Sequence, residues 1–145
     1  MSRAPTKPRI IFVCYANICR SPMAQALASA RLGGRAEIKS AGLAAQGGPA
    51  CDEAVLVMKL LYNLDISEHI ATPVGAVRLS QFDHIVALDY QIYRQLRETW
   101  GVPEDKLQAW DIEDPIGLDY EAFKETAKKI ERRLGQFIAG LELDS

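Results

Sequence analysis

The sequence has few cysteines and histidines, and it contains no long hydrophobic run. Three cysteines among 145 residues, two of them in one short segment, do not make the disulfide framework of a small secreted protein. The only two histidines, His69 and His84, do not suggest a metal site, so we expect none. No stretch approaches the ~20 apolar residues of a membrane helix, and the N-terminus lacks the apolar segment of a secretory signal. These absences favour a cytoplasmic protein without a membrane span.

The net charge is also small, at −2. It gives no strong attraction to nucleic acid or to an anionic membrane, so we expect neither as a partner. A length of 145 residues with 48% hydrophobic residues fits one domain with its own core. We assign residues 1–8 to a flexible N-terminal arm and residues 9–145 to the domain, and we expect a monomer or a weak dimer.

Apolar strand-like runs alternate with amphipathic helical segments along the chain. The pattern predicts strands at 9–13, 36–40, 84–88 and 106–110, and helices at 22–32, 51–62, 89–100 and 120–140. Alternating strands and helices indicate an α/β fold, here a single-domain three-layer sandwich in which helices cover both faces of a four-stranded parallel sheet. In such sheets, ligands bind beyond the carboxyl ends of the strands.

The segment 13–22, Val-Cys-Tyr-Ala-Asn-Ile-Cys-Arg-Ser-Pro, joins the first strand to the first helix. Ser21 followed by Pro22 is a helix-start signal, in which the serine caps free amides and the proline loses no hydrogen bond. A loop at a helix N-terminus binds anions, because its N–H groups and the helix dipole direct positive charge into it. We therefore expect an anion-binding loop here.

Cys14 and Arg20 indicate that this loop is a reaction centre as well as an anion site. The thiolate is the nucleophilic form of cysteine, and both a helix N-terminus and a nearby cation favour it. A guanidinium offers a planar fork of donors for two phosphate oxygens. A cysteine and an arginine six positions apart also occur by chance, with the cysteine as a buried hydrophobe. The catalytic interpretation is favoured by the strand before the loop and the helix start after it. Asn17 favours it too, because its polar side chain can form hydrogen bonds within a strained loop.

The segment Val-Cys-x-x-Asn-Ile-Cys-Arg-Ser-Pro resembles the phosphate-binding loop of the low-molecular-weight protein tyrosine phosphatases. The resemblance continues in the family's order through nearly the whole chain after residue 9, at 40–42, 65–69, 82–89 and 110–115. It implies the flavodoxin-like fold of that family and hydrolysis of phosphomonoesters through a phosphocysteine intermediate. It further implies no cofactor, and a phosphotyrosine protein or a small aryl phosphate as the substrate.

The same resemblance implies a role for each matching residue. Asp114, before Pro115, corresponds to the general acid of the family, although Asp-Pro is also an ordinary turn signal. His69 resembles a histidine that braces the loop. Asp89 resembles a carboxylate beside the site, but we prefer to interpret it as a helix cap. Asn17, Ser21 and His69 support the loop, and the Ser21 hydroxyl is expected to donate to the Cys14 thiolate. Phosphate binding falls to the loop itself, which comprises Cys14, Tyr15, Ala16, Asn17, Ile18, Cys19 and Arg20.

The cysteine at position 19 has two interpretations. In the family, the second cysteine of the loop can form a reversible disulfide with the nucleophile, which would protect Cys14 from irreversible oxidation. Equally, Cys19 is simply a buried neighbour. The third cysteine, Cys51, has no evident role in the sequence.

Several positions depart from the family's pattern. Ala16 stands where glycine is usual, at a cost on the order of 1 kcal/mol if that position needs a positive φ. Ile116, Gly117 and Gln46 stand where aromatic residues often enclose a phenyl ring. Ile18 stands where the phosphoarginine branch has threonine.

Two alternatives to a tyrosine phosphatase stay open. An arsenate reductase of related fold needs further cysteines, usually after the third strand, and residues 80–100 contain none. Cys51 or an external thiol would have to replace them. A catalytically weak module that binds phosphate groups without turnover is the other alternative. The presence of Cys14, Arg20 and Asp114 together counts against it.

Overall fold

A computed structural model describes residues 7–141 and 143. The predicted N-terminal arm, 1–8, lies outside these residues except for its last two positions. The order of elements is β1 Arg9–Cys14, α1 Arg20–Leu32, β2 Glu37–Gly42, α2 Asp52–Tyr62, β3 His84–Ala87, α3 Tyr90–Glu98, β4 Leu107–Ala109 and α4 Tyr120–Ala139. The predicted elements are therefore all present, with boundaries moved by one or two residues.

The four strands form one parallel sheet in the order β2-β1-β3-β4. The central strand β1 pairs with β2, with Cys14 opposite Gly42, and with β3, with Val13 opposite Ala87. The sheet and its helices confirm the predicted α/β sandwich. Because β1 is followed by β2 on one side and β3 on the other, the sheet has a topological switch point at β1, where ligands bind in folds of this kind.

Alternate residues of β1 point to opposite faces, and each face is covered by helices. Ile10 and Phe12 belong to a core built with α1, α2 and α4, whereas Ile11 and Val13 pack with α3. Trp110, fully buried, lies edge-on to Phe12 with ring centroids 5.4 Å apart. A strand buried on both faces explains the uninterrupted apolar run at the start of the domain.

Two helices begin as the sequence predicts, and one does not. Asp89 caps α3 by accepting from the N–H of Ile92 at 2.9 Å, and Asp119 caps α4 by accepting from the N–H of Ala122 at 3.1 Å. The predicted cap at Ser21 is wrong, because α1 already begins at Arg20 and no side chain caps it. The hydroxyl of Ser21 instead points to the end of β1, as described below.

None of the helices in the described part of the chain is both long and apolar enough to cross a bilayer.

The last residue of β2, Gly42, lies against the loop that follows β1. A Cβ atom at this position would be 2.8 Å from the backbone N of Asn17 and 2.8 Å from the carbonyl O of Tyr15. Backbone atoms cannot rotate away from such a contact as a flexible side chain can. The glycine is therefore required so that the loop can pack against the end of β2.

We expect Gly42→Ala to lower the free energy of unfolding by about 1–3 kcal/mol, because the loop and β2 must move apart. The measurement is urea denaturation followed by circular dichroism. Gly34→Ala is the matched control, since a Cβ atom there meets no atom within 4 Å. Equal stability of the two variants would contradict the close approach.

Candidate active site

The thiol of Cys14 lies buried at the carboxyl end of β1 and receives hydrogen bonds from the loop that follows. The backbone N–H of Asn17 donates to its Sγ at 3.2 Å, and the Oγ of Ser21 lies 2.9 Å from the same sulfur. The side-chain amide of Asn17 donates to the Oγ of Ser21 at 2.6 Å, which leaves the hydroxyl proton free to point at the sulfur. Both donors stabilise a thiolate at Cys14.

Asn17 holds the loop in its curled conformation. It is fully buried and adopts the left-handed conformation with φ of 59°, which asparagine tolerates better than most residues. Its Oδ1 accepts from the N–H of Thr72 at 2.8 Å. The positive φ therefore falls on Asn17 and not on Ala16, so the conformational cost considered for Ala16 does not arise.

His69 supports the same residue from the crossover between α2 and β3. Its Nε2 lies 2.8 Å from the carbonyl O of Asn17. A carbonyl oxygen only accepts hydrogen bonds, so Nε2 carries a proton and donates it. His69 and Thr72 together fix both the main chain and the side chain of Asn17. His69 thus occupies the bracing position that the resemblance implies for it.

The guanidinium of Arg20 is 2% exposed and is oriented by groups from distant parts of the chain. Its Nη1 donates to Oδ2 of Asp89 at 2.6 Å and to the carbonyl O of Ile112 at 2.8 Å. Its Nη2 lies 3.6 Å from Oδ2 of Asp114. Its Nε is buried and has no hydrogen-bond partner among the described residues. One edge of the fork is thus fixed by protein groups, while Nε lacks an acceptor.

Asp114 lies on the loop between β4 and α4, with a side chain that is 38% exposed. Its Oδ1 accepts from the N–H of Ile116 at 3.1 Å, which shapes the turn after Pro115. Asp89 has two contacts at once, since Oδ1 caps α3 and Oδ2 holds Arg20. The Asp89 side chain therefore has both predicted roles, as a helix cap and as a carboxylate beside the site.

Cys14, Arg20 and Asp114 all line one cavity of about 250 Å³. Most of its wall is apolar, and Tyr15 and Ile116, exposed by 55% and 51%, form part of it. Of the positions at which aromatic residues are usual in the family, Ile116 lines the cavity, and Gln46 is not among its lining residues. The full lining is Cys14, Tyr15, Ala16, Ile18, Cys19, Arg20, Asp114 and Ile116.

Cys51 has no role that could be predicted from the sequence. Its Sγ lies 3.2 Å from the Sγ of Cys19, at the end of the loop, and its backbone N–H donates to the carbonyl O of Ile18 at 3.0 Å. No local pattern in the sequence predicts this contact, because the two cysteines belong to different elements. Thr72 also contributes without any signal in the sequence. Gly42 lies in a segment that carries the family resemblance, but its contact with the loop becomes visible only in the fold.

Within residues 7–141 and 143, no group of three or more histidine, cysteine, aspartate or glutamate side chains is placed to hold a metal ion.

We expect Asn17→Ala to lower the free energy of unfolding by about 2–4 kcal/mol, because it removes two buried hydrogen bonds and places alanine at a positive φ. Asn63→Ala is the matched control. Asn63 is an exposed residue with a similar φ of 54°, and it lies outside the loop. Urea denaturation of both variants separates the hydrogen bonds from the backbone penalty, and equal losses would contradict the role given to Asn17.

Comparison with known proteins adds an independent line of evidence. The family model of the low molecular weight phosphotyrosine protein phosphatases matches residues 9–145. The probable low molecular weight protein-tyrosine-phosphatase EpsP of Ralstonia nicotianae is 31% identical over 135 residues, which cover 89% of this chain and 92% of the relative. A crystal structure of the low molecular weight protein tyrosine phosphatase from T. tengcongensis matches with a TM-score of 0.86 and 35% identity, covering 93% of this chain and 100% of that chain.

Relatives named for other activities have similar identities. The protein-arginine-phosphatase of Bacillus subtilis is 30% identical over 149 residues, covering 93% of this chain and 97% of the relative, and arsenate reductases are also among the relatives. The family model nevertheless spans nearly the whole chain, and the resemblance seen in the sequence is confirmed. The chain belongs to the low molecular weight phosphotyrosine protein phosphatase family.

Proposed function

We propose that this phosphatase acts with Cys14 as nucleophile, Arg20 as phosphate ligand and Asp114 as general acid. The observation that carries the proposal is the buried Nε of Arg20, which lacks a partner among the described residues although Arg20 lines the same cavity as Cys14. A buried donor without an acceptor is costly. A phosphate oxygen in the cavity provides that acceptor and places the phosphorus near the thiolate.

The reaction consists of two displacements at phosphorus. The thiolate of Cys14 attacks the phosphorus, an S–P bond forms, and the bond to the leaving oxygen breaks while Asp114 protonates that oxygen. The carboxylate of Asp114 then takes a proton from water, which attacks the phosphocysteine and releases phosphate and the thiolate. Arg20 and the N-terminal end of α1 stabilise the charge on the phosphoryl oxygens in both steps.

The remaining predicted residues support this chemistry without taking part in bond changes. Ser21 steadies the thiolate when it forms and when it leaves phosphorus, because its hydroxyl lies 2.9 Å from the sulfur. Asn17 and His69 hold the loop so that its geometry is fixed before the substrate arrives. Asp89 fixes the rotamer of Arg20. The phosphate itself contacts the backbone from Tyr15 to Cys19.

Hydrolysis of aryl phosphates tests the three roles. We expect Cys14→Ser to abolish turnover of p-nitrophenyl phosphate and of phenyl phosphate. We expect Asp114→Asn to slow phenyl phosphate by roughly 100-fold or more, and p-nitrophenyl phosphate less, because the better leaving group needs less protonation.

Asp111→Asn is the control for the acid, since Asp111 is an exposed carboxylate of the same loop. Its rates should equal those of the wild type. Full activity of Cys14→Ser would contradict the assignment of Cys14 as the nucleophile. Equal slowing of the two substrates in Asp114→Asn would contradict the assignment of Asp114 as the general acid. Binding of vanadate by a wild-type protein that hydrolyses neither substrate would favour the non-catalytic alternative.

The cavity favours a substrate that carries an aromatic ring next to the phosphate. Tyr15 and Ile116 offer apolar surface at its wall, and together with Ile18 they leave the lining largely apolar. A phenyl ring buries its faces against such surfaces, whereas the charged guanidinium of phosphoarginine gains less. We therefore propose a phosphotyrosine side chain of a protein, or a small aryl phosphate, as the substrate.

We expect Tyr15→Ala to raise the KM for p-nitrophenyl phosphate roughly tenfold, because the ring of the substrate loses one aromatic neighbour. Inhibition by inorganic phosphate should stay unchanged, since phosphate has no ring. Tyr90→Ala serves as the control, because Tyr90 is similarly exposed, by 62% against 55% for Tyr15, but does not line the cavity. A parallel loss of phosphate inhibition in Tyr15→Ala would show instead that the loop itself is disturbed.

Arsenate reduction is the second candidate, and the thiols of Cys19 and Cys51 beside the loop are the observation that speaks for it. The absence of cysteine from 80–100 speaks against it. Consumption of dithiothreitol in the presence of arsenate distinguishes the two. A phosphatase shows no consumption above that of Cys14→Ser, whereas a reductase shows a steady arsenate-dependent rate.

A further inference from the structure

Cys19 and Cys51 form a pair of thiols separate from the nucleophile. Their sulfur atoms are 3.2 Å apart, which is about 1.2 Å longer than a disulfide bond. Cys19 is the last residue before α1, and Cys51 is the residue before α2. The hydrogen bond from the N–H of Cys51 to the carbonyl O of Ile18 already joins the two backbone segments. Bond formation therefore requires only a small movement of two side chains.

The two thiols differ in environment. Cys51 is partly exposed and lies at the N-terminus of α2, whereas Cys19 is buried. The hydrogen bond between them lowers the pKa of Cys51 and raises the pKa of Cys19, and burial raises the latter further. Within this pair, Cys51 is thus the thiolate that reacts with an oxidant, and Cys19 is the thiol that completes the bond.

We propose that Cys19 and Cys51 form a reversible disulfide under peroxide stress, and that this site takes up oxidising equivalents while Cys14 stays free. The Sγ of Cys51 attacks hydrogen peroxide, the O–O bond breaks, and a sulfenic acid and hydroxide form. The Sγ of Cys19 then attacks the sulfenic sulfur, an S–S bond forms, and the S–O bond breaks. The proton of Cys19 leaves with the hydroxyl group as water. A cellular dithiol reverses the step by thiol–disulfide exchange.

This disulfide differs in consequence from one between Cys14 and Cys19. A bond to Cys14 removes the nucleophile and stops catalysis, whereas the bond to Cys51 leaves the nucleophile in place. The Cys19–Cys51 bond also joins the loop to α2 and closes a segment of the unfolded chain, so the oxidised protein should be more resistant to heat. Oxidation therefore yields an active, stabilised enzyme.

Tryptic digestion without reduction distinguishes the two bonds directly. Cleavage at arginine and lysine leaves Cys14 and Cys19 together on the peptide 10–20 and Cys51 on the peptide 40–59. A Cys19–Cys51 disulfide links the two peptides, whereas a Cys14–Cys19 disulfide stays inside the first. The Cys14→Ser variant removes the remaining combination, in which Cys14 pairs with Cys51.

The first test oxidises Cys14→Ser with hydrogen peroxide. We expect the linked peptides, loss of both free thiols, and a midpoint of thermal unfolding that rises by roughly 5–10 °C and returns after dithiothreitol. The double variant Cys14→Ser/Cys51→Ala is the control and should show no link and no rise. Absence of the link in Cys14→Ser would overturn the proposal, and this readout does not depend on phosphatase activity.

The second test oxidises the wild type and Cys51→Ala with the same amount of hydrogen peroxide. After removal of the oxidant, we expect the linked peptides in the wild type and at least about 80% of its initial rate with p-nitrophenyl phosphate. Cys51→Ala should have the wild-type rate when reduced. It should lose activity on oxidation, because Cys19 then has only Cys14 as a partner for a disulfide. A disulfide inside the peptide 10–20 of the wild type, with loss of activity, would overturn the proposal.

Discussion

The buried guanidinium of Arg20 is the constraint on which the rest of the site depends. A cation that is 2% exposed loses hydration worth several kcal/mol and needs compensating partners. They come from Asp89 after β3 and from Ile112 and Asp114 after β4. The carboxyl ends of three strands must therefore meet at one edge, and a parallel sheet with β1 at its centre brings this about.

The same requirement explains how the groups around the cavity are held in place. Asp89 and Ile112 satisfy one nitrogen of Arg20 in the folded protein, so the orientation of the guanidinium does not depend on the substrate. Asn17 likewise fixes the conformation of the loop, because its main chain and its side chain both form hydrogen bonds. Preorganised donors need no rearrangement as charge develops on the transferred group, which is the main source of catalysis in such sites.

Local patterns in the sequence predicted most of the fold and the core of the site. Continuous apolar runs marked the strands, and the spacing of Cys14 and Arg20 between a strand and a helix marked the loop. What the patterns could not provide were contacts between segments that lie far apart in the chain. The approach of Cys51 to Cys19, and the need for glycine at position 42, are of this kind. The cap predicted at Ser21 is absent, because its hydroxyl contacts Cys14, seven residues earlier, which agrees with the supporting role that the resemblance implies for Ser21.

The crossover between α2 and β3 contains little regular structure, yet it is bound to the loop at several points. His69 and Thr72 hold Asn17, and the carbonyl O of Thr72 accepts from the N–H of Gly42. Exposed irregular segments normally tolerate inserted peptides or new chain termini. Here an affinity tag or a circular permutation placed between 69 and 72 would detach the loop that follows β1, so the turn at 33–34, where added side-chain atoms meet nothing, is the better place to cut or extend this chain.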